Sequence, residues 1–139
     1  MIFGAKMIKK VYRYKVQFYD VDSLNVVWHG NYVKFLEAAR CQFLDELGFN
    51  YTKMKDEGFA YPVAKMEFKF INPLFFNDEF EVEVELLEIE SFLKFSYLIK
   101  KGTLKICKAT TSQACVEIAT RQTCYAAPVI LKELLKGKV

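Results

Sequence analysis

Alternating hydrophobic and polar positions predict β-strands in several parts of the chain. The clearest case is residues 79–86, where Phe80, two valines and a leucine face one side and glutamates face the other. The alternation changes phase at Leu86-Leu87, which predicts a β-bulge and a local bend of the sheet. The other predicted strands are residues 11–18, 61–70 and 93–99, and a last long strand at 104–118.

One amphipathic helix is predicted from about residue 29 to residue 47, because apolar residues recur there at intervals of three and four. Gly48 fits its left-handed C-terminal cap, and Asn31 or a residue just before it is a candidate N-terminal cap. The remaining predicted elements are a helical turn at 51–58, a hairpin turn at Lys101-Gly102 and a terminal helix at 129–138. This order predicts one α+β domain over residues 1–139, in which a single helix covers one face of an antiparallel sheet and the other face favours dimerisation.

Composition narrows the class of protein. The 139 residues are 53% hydrophobic and 27% charged, which is typical of one soluble globular domain. A net charge of +3 with scattered lysines does not indicate a nucleic-acid partner. No apolar run approaches the roughly 20 residues that span a bilayer, and residues 1–7 do not resemble a secretion signal.

The four cysteines and the single histidine show no metal-binding spacing. We therefore expect free, buried thiols in a reducing compartment, which indicates a cytoplasmic protein without a bound metal. Cys41 falls in the middle of the predicted long helix, so we expect it to pack rather than to act as a nucleophile.

The loop at residues 19–32 concentrates polar groups directly before the long helix. A helix start presents unpaired backbone N–H groups and partial positive charge, which can polarise a carbonyl, and the carboxylate of Asp22 can supply a base or a nucleophile. Other interpretations of the same residues stay open. Aspartates commonly form turns, Asp20 and Asp22 could form a carboxylate pair, a lone histidine such as His29 commonly packs, and the glutamates of 79–85 fit a solvated strand face.

Three segments of this region resemble a known family. FYDVD at 18–22, VVWHGNY at 26–32 and FLEAAR at 35–40 resemble the opening of the 4-hydroxybenzoyl-CoA thioesterase family, in particular its YbgC-like acyl-CoA thioesterase branch. Later segments at 62–68, 72–73 and 77–78 extend the resemblance to about residues 11–119. It implies a hotdog fold, in which a curved antiparallel β-sheet wraps a long central helix. It also implies homodimers or homotetramers with active sites at the dimer interface.

The resemblance further implies roles for individual residues. Asp22 matches the catalytic carboxylate, as nucleophile or general base, and the backbone N–H of His29 matches the donor to the thioester oxygen. The His29 side chain, the second catalytic candidate, matches a histidine that orients substrate or water. Trp28, Tyr32 and Asn25 are the candidate substrate-binding residues, and no cofactor is implied.

Two features depart from the family pattern. Leu24 stands where the branch commonly has a small residue, and we expect its bulk to narrow or reshape the entrance for the acyl group. Glu88, Glu90 and Ser91 replace basic residues that hold the coenzyme A phosphates in the founding thioesterases. The weaker candidates for that task are Lys94, Lys100 and Lys101.

The predicted function is hydrolysis of acyl-CoA to a free acid and coenzyme A by a cytoplasmic enzyme of lipid metabolism. One alternative keeps the hydrolysis and takes the acyl group from an acyl carrier protein. The other is a non-catalytic hotdog module that binds acyl-CoA or acyl carrier protein in phospholipid metabolism, since one fold hosts several functions.

Overall fold

A five-stranded antiparallel sheet and one long helix form the framework of the protein. The structure is a computed structural model and describes residues 8–136. Its strands are β1 (Lys9–Lys15), β2 (Phe59–Ala60), β3 (Val63–Phe70), β4 (Glu79–Glu88), β5 (Leu93–Lys101), β6 (Leu104–Gln113) and β7 (Val116–Glu117). The large sheet has the order β1-β4-β5-β6-β3, and β2 pairs with β7 in a separate small sheet. The helices are α1 (Asn31–Leu47), α2 (Tyr51–Asp56) and α3 (Val129–Lys136).

Strand β4 shows how the sequence pattern builds the sheet. Its aliphatic and aromatic side chains from Phe80 to Leu86 are buried, while the intervening glutamates are partly exposed on the opposite face. The register between β4 and β5 shifts between Leu86 and Glu88. The predicted bulge is therefore confirmed, and a bulge increases the local bend and twist of a strand.

Helix α1 packs on the apolar face of this sheet. Leu36, Phe43 and Leu44 are buried, and the ring of Phe43 meets the Phe95 ring edge-on at a centroid distance of 5.2 Å. Burying a side chain of this size contributes about 1.5–3 kcal/mol. Gly48 ends the helix at φ 89°, in the predicted left-handed cap. The predicted α+β layout, with one long helix covering an antiparallel sheet, is confirmed.

Three predicted strands are too long, and the middle one, at 61–70, begins only at Val63. The first ends at Lys15, because the backbone N–H of Gln17 donates to the Asp20 carboxylate at 2.9 Å and turns the chain into a 3-10 turn at Phe18–Asp20. The last ends at Gln113, and β7 then pairs with β2 instead of continuing beside β3. The Gln113 side chain donates to the Tyr61 carbonyl at 2.8 Å, just before β3 begins.

The smaller elements agree better with the sequence. Helix α2 lies within the predicted helical turn, and Gly102 lies in the β5–β6 hairpin at φ 60°. Helix α3 begins at the predicted Val129, whereas the predicted end at Lys138 lies outside the described residues, as do residues 1–7. Within residues 8–136, no helix is both long and apolar enough to cross a membrane.

The four cysteines are free thiols with different exposures. Cys107 and Cys115 are buried, Cys124 is half-buried and Cys41 is exposed. The prediction that all four are buried is therefore wrong. Cys41 lies outside the buried stripe of α1, which is formed by Leu36, Phe43 and their neighbours.

Candidate active site

Asp22 lies in a tight turn that its own carboxylate stabilises. Its Oδ1 accepts the backbone N–H groups of Leu24 at 2.8 Å and Val26 at 3.3 Å. Its N–H donates to the Val26 carbonyl at 2.9 Å, and Asn25 takes the left-handed conformation at φ 62°. In the part of the chain that the structure describes, Oδ2 accepts no hydrogen bond. The carboxylate is thus exposed and fixed in direction, with one oxygen free for chemistry.

Asp20 occupies a different environment. It is 4% exposed, and its carboxylate accepts the Gln17 N–H at 2.9 Å and lies 3.4 Å from the Lys34 ammonium. Its backbone carbonyl accepts the Trp28 N–H at 3.2 Å and the Asn31 side-chain amide at 2.7 Å. Asp20 therefore ties the loop to the first turn of α1. Within residues 8–136 it shares no hydrogen-bond partner with Asp22, so the carboxylate-pair alternative gains no support.

The start of α1 offers donors to a ligand. Val21 and Val27 form an antiparallel bridge and the Asp22 N–H donates to the Val26 carbonyl, so Asp22 lies opposite Val26, three residues before His29 in the sequence. Among the described residues, neither His29 nor Gly30 donates its backbone N–H to an acceptor. Helix N-termini stabilise negative charge through such free N–H groups. This arrangement can polarise a carbonyl oxygen, as the sequence predicts for His29.

The helix begins at Asn31 and not at His29, and its N-cap is Gly30 without a side-chain hydrogen bond. The prediction that Asn31 or a residue just before it caps the helix is confirmed in its second form, since Gly30 directly precedes Asn31. Asn31 itself is the first helical residue, and its amide donates to the Asp20 carbonyl. The N–H groups of Asn31 and Tyr32 in the first turn of α1 donate to the carbonyls of Trp28 and His29. In the described part of the chain, the free donors at this end of the helix are therefore those of His29 and Gly30, just before its first residue.

An apolar cleft of about 280 Å³ lies beside the helix start. The Phe70 ring at the end of β3 meets His29 at 6.4 Å and Tyr32 at 5.2 Å between ring centroids, both edge-on. Burial raises the pKa of the Tyr32 hydroxyl to about 12, so the phenol is neutral at physiological pH. The lining residues are Val26, Val27, His29, Tyr32, Phe70, Ile71, Asn72 and Pro73.

Residues 16–134 match the family model of the thioesterase-like superfamily. The chain belongs to this superfamily. It is 38% identical over 108 residues to a protein of Aquifex aeolicus provisionally named an esterase, covering 77% of this chain and 84% of the relative. It is 29% identical over 106 residues to the acyl-CoA thioesterase YbgC of Haemophilus influenzae, covering 75% and 78%.

A crystal structure of a protein from Aquifex aeolicus described as hypothetical is similar to this thioesterase-like chain. The TM-score is 0.82 at 35% identity, over 91% of this chain and 99% of that one. The predicted family, the hotdog fold and the enzyme class, a thioester hydrolase, are confirmed. The roles assigned to single residues stay predictions.

The structure brings some of the predicted site residues of this thioesterase-like protein together. His29 and Tyr32 line one cleft, and the Trp28 ring lies beside His29 at 5.2 Å but remains 55% exposed. Asn25 serves the Asp22 turn and does not line the cleft. Phe70 lies at the far end of β3 and lines the cleft. The sequence did not predict it as a site residue, because the alternating pattern of its strand indicates which face Phe70 lies on but not which residues it contacts.

Gly30 is needed so that the Trp28 ring can fold over the helix start. A Cβ at Gly30 would overlap that ring, although the backbone there, at φ −63°, accepts alanine. In Gly30→Ala we expect the ring to move into solvent and kcat/KM to fall by about 10-fold or more, since small displacements near a reacting group are costly. Emission should shift to the red, and Trp28 is the sole tryptophan of the chain.

Gly58→Ala is the control, because a Cβ at Gly58 meets no atom within 4 Å. It should strain the backbone at φ 94° but leave the emission spectrum unchanged. Red-shifted emission with unaltered turnover in Gly30→Ala would show that the Trp28 ring does not contribute to the reaction, and unaltered emission would show that Gly30 is not needed for the position of the ring.

Proposed function

We propose that the protein hydrolyses the thioester of an acyl-coenzyme A to the free acid and coenzyme A. The observation that carries the proposal is the fixed carboxylate of Asp22 on the hairpin that leads into the free N–H groups of His29 and Gly30. The name of the Haemophilus influenzae relative supports the same substrate class. The test is release of thiol from short, medium, long and aromatic acyl-CoAs by the purified protein.

Asp22 and the helix start divide the chemistry between them. As a general base, Asp22 takes a proton from water while the water oxygen adds to the thioester carbon; as a nucleophile, its Oδ2 adds directly and water later cleaves the resulting anhydride. In both routes the N–H groups of His29 and Gly30 donate to the developing oxyanion. The carbon–sulfur bond then breaks, and the thiolate of coenzyme A leaves and takes up a proton.

The cleft of His29, Tyr32 and Phe70 is the proposed acyl site. Its apolar lining suits a hydrocarbon or aromatic acyl group, with Trp28 and Asn25 as the proposed contacts nearer to solvent. Its volume of about 280 Å³ lies just below the usual range of ligand pockets, roughly 300–1,000 Å³. A further surface is therefore needed to enclose a larger acyl group.

A second copy of the chain is the proposed source of that surface. Strand β3 is an edge of the sheet, and within residues 8–136 no strand pairs with its outer side. Val63, Phe70 and Ile71 at its two ends are exposed, and Phe70 lines the cleft. Pairing of β3 with β3 of another copy would continue the sheet and close the cleft.

We therefore expect the protein to sediment as a homodimer or a homotetramer at micromolar concentration. Sedimentation equilibrium gives the mass directly, and a monomer at that concentration would contradict the proposed closure. We also propose that residues 1–139 act as one hotdog domain.

An acyl carrier protein is the alternative donor in this proposal, and the cytoplasm and lipid metabolism are its proposed setting. Carrier-bound and CoA-bound forms of one acyl group, assayed side by side, separate the two donors. The non-catalytic binding module predicted as an alternative gains no support from the site, because a binding role does not require a carboxylate that, among the described residues, keeps one oxygen free of hydrogen bonds.

A further inference from the structure

Two thiols face each other in a hairpin near the start of β3. Val116 and Thr123 form an antiparallel bridge, and the N–H of Cys124 donates to the carbonyl of Cys115 at 2.9 Å. Cys115 and Cys124 are therefore directly opposite in the ladder. Side chains of opposite residues project to the same face of an antiparallel pair.

The separation of these two cysteines suits a disulfide. Opposite residues of an antiparallel pair have Cα atoms about 4.5–5.5 Å apart, and disulfides form at Cα separations of roughly 4.4–6.8 Å. Burial raises the pKa of the Cys115 thiol, and Cys124 is close enough to help raise it, in accord with this register. The register of the hairpin thus brings the two cysteines into the range of separations at which disulfides form.

The two thiols have different access to solvent. Cys115 is 4% exposed, and burial, followed by the proximity of Cys124, raises its pKa to about 12. The buried Tyr61 hydroxyl faces the Cys115 thiol and, among the described residues, meets no nitrogen or oxygen partner. Cys124 is half-buried. A small oxidant from solvent therefore reaches Cys124 first, and Cys115 lies behind it.

We propose that Cys115 and Cys124 are a site of reversible oxidation, at which a peroxide converts the two thiols to a disulfide. The Cys124 sulfur attacks hydrogen peroxide, so that an S–O bond forms, the O–O bond breaks and water leaves, giving a sulfenic acid. The Cys115 sulfur then attacks the Cys124 sulfur. An S–S bond forms, the S–O bond breaks, and the oxygen leaves as water with the Cys115 proton. A dithiol reductant reverses the change.

The disulfide would link β7 to the segment that leads into α3. Closing this short loop removes conformational freedom from the unfolded chain, so the oxidised protein should have a Tm higher by roughly 5 °C or more than the reduced protein. The proposal rests on the hairpin alone and is independent of the thioesterase reaction.

A peptide map of the full-length protein tests the linkage. Arg121 lies between the two cysteines, so trypsin separates residues 109–121 from residues 122–132. After treatment with hydrogen peroxide and blocking of remaining thiols, we expect these two peptides to run as one linked species. Dithiothreitol should separate them, and intact mass should fall by two hydrogens on oxidation.

Cysteine variants test the role of each sulfur in the proposed oxidation. Cys115→Ser should stop the linkage and leave a sulfenic acid on Cys124 that dimedone traps, whereas Cys107→Ser, which removes another buried thiol, should keep the linkage. The peptide map of the wild-type protein tests the linkage even if a variant fails to fold. Absence of the linked species under conditions that fully oxidise the exposed thiol of Cys41 would overturn the proposal, as would Cys124 linked to any other cysteine.

Discussion

Asp22→Asn lowers kcat for acyl-CoA hydrolysis by about 100-fold or more and leaves the fold intact. Asparagine keeps the side-chain oxygen that accepts the N–H groups of Leu24 and Val26, so the turn survives. It loses the negative charge that removes a proton from water or attacks the thioester carbon. A positioned general base typically contributes about 100-fold to 10,000-fold in rate.

The measurement is thiol release over the acyl-CoA panel, with circular dichroism and a denaturation curve for each variant. Asp56→Asn is the matched control, because it makes the same change at an exposed residue of α2 and should keep full activity. Near-normal turnover by folded Asp22→Asn would remove Asp22 from the mechanism. No hydrolysis of any acyl-CoA or acyl carrier protein thioester by the wild type would refute the proposed reaction itself.

Phe43→Ala has the largest expected effect on stability. Phe43 is 2% exposed and its ring meets Phe95, which is fully buried, so truncation leaves a cavity between α1 and the sheet. Phe→Ala changes in cores cost about 3–5 kcal/mol in the free energy of unfolding, out of a total of roughly 5–15 kcal/mol. The helix that directly follows the His29 and Gly30 donors is held to the sheet at this point.

Denaturation by urea measures the change through its midpoint at a constant slope. Phe43→Leu retains most of the side-chain volume and should lower the free energy of unfolding clearly less than Phe43→Ala. Phe92→Ala, at a partly exposed ring, should lower it less still. If Phe43→Ala lowers the free energy of unfolding by less than about 1 kcal/mol, the neighbouring side chains fill the cavity or α1 is held to the sheet by other contacts.

The sequence predicts the sheet best where one face meets solvent. In β4 the glutamates mark one face and the buried valines the other, so strand, face and bulge all follow from the pattern. In β6 the residues from Thr111 to Gln113 are all buried, so no alternation marks where the strand ends. That end is set by the Gln113 hydrogen bond to Tyr61, which is a tertiary contact.

In the candidate site too, the sequence predicts some residues and misses others. The loop of Asp22 and the helix start are neighbours in sequence, and their types and order indicate the chemistry before the fold is known. Phe70 comes from a distant strand, and periodicity gives the side it faces but not the residues it meets. The pairing of Cys115 with Cys124 is missed for the same reason, because only the folded hairpin sets their register.

The order of charged residues along the exposed edge of β3 favours particular alignments between two paired copies of the strand. Lys65, Glu67 and Lys69 share one face of the strand, and within one chain Lys65 lies 2.8 Å from Glu67. In the proposed dimer, antiparallel pairing centred on Met66 sets Lys65 of one copy opposite Glu67 of the other, and pairing centred on Phe68 sets Glu67 opposite Lys69. Centring on Glu67 brings glutamate against glutamate and lysine against lysine, and like charges directly opposite are unfavourable. Charged side chains on an edge strand discourage pairing with unrelated strands. Here the same side chains also favour the alignments centred on Met66 and Phe68 over the alignment centred on Glu67.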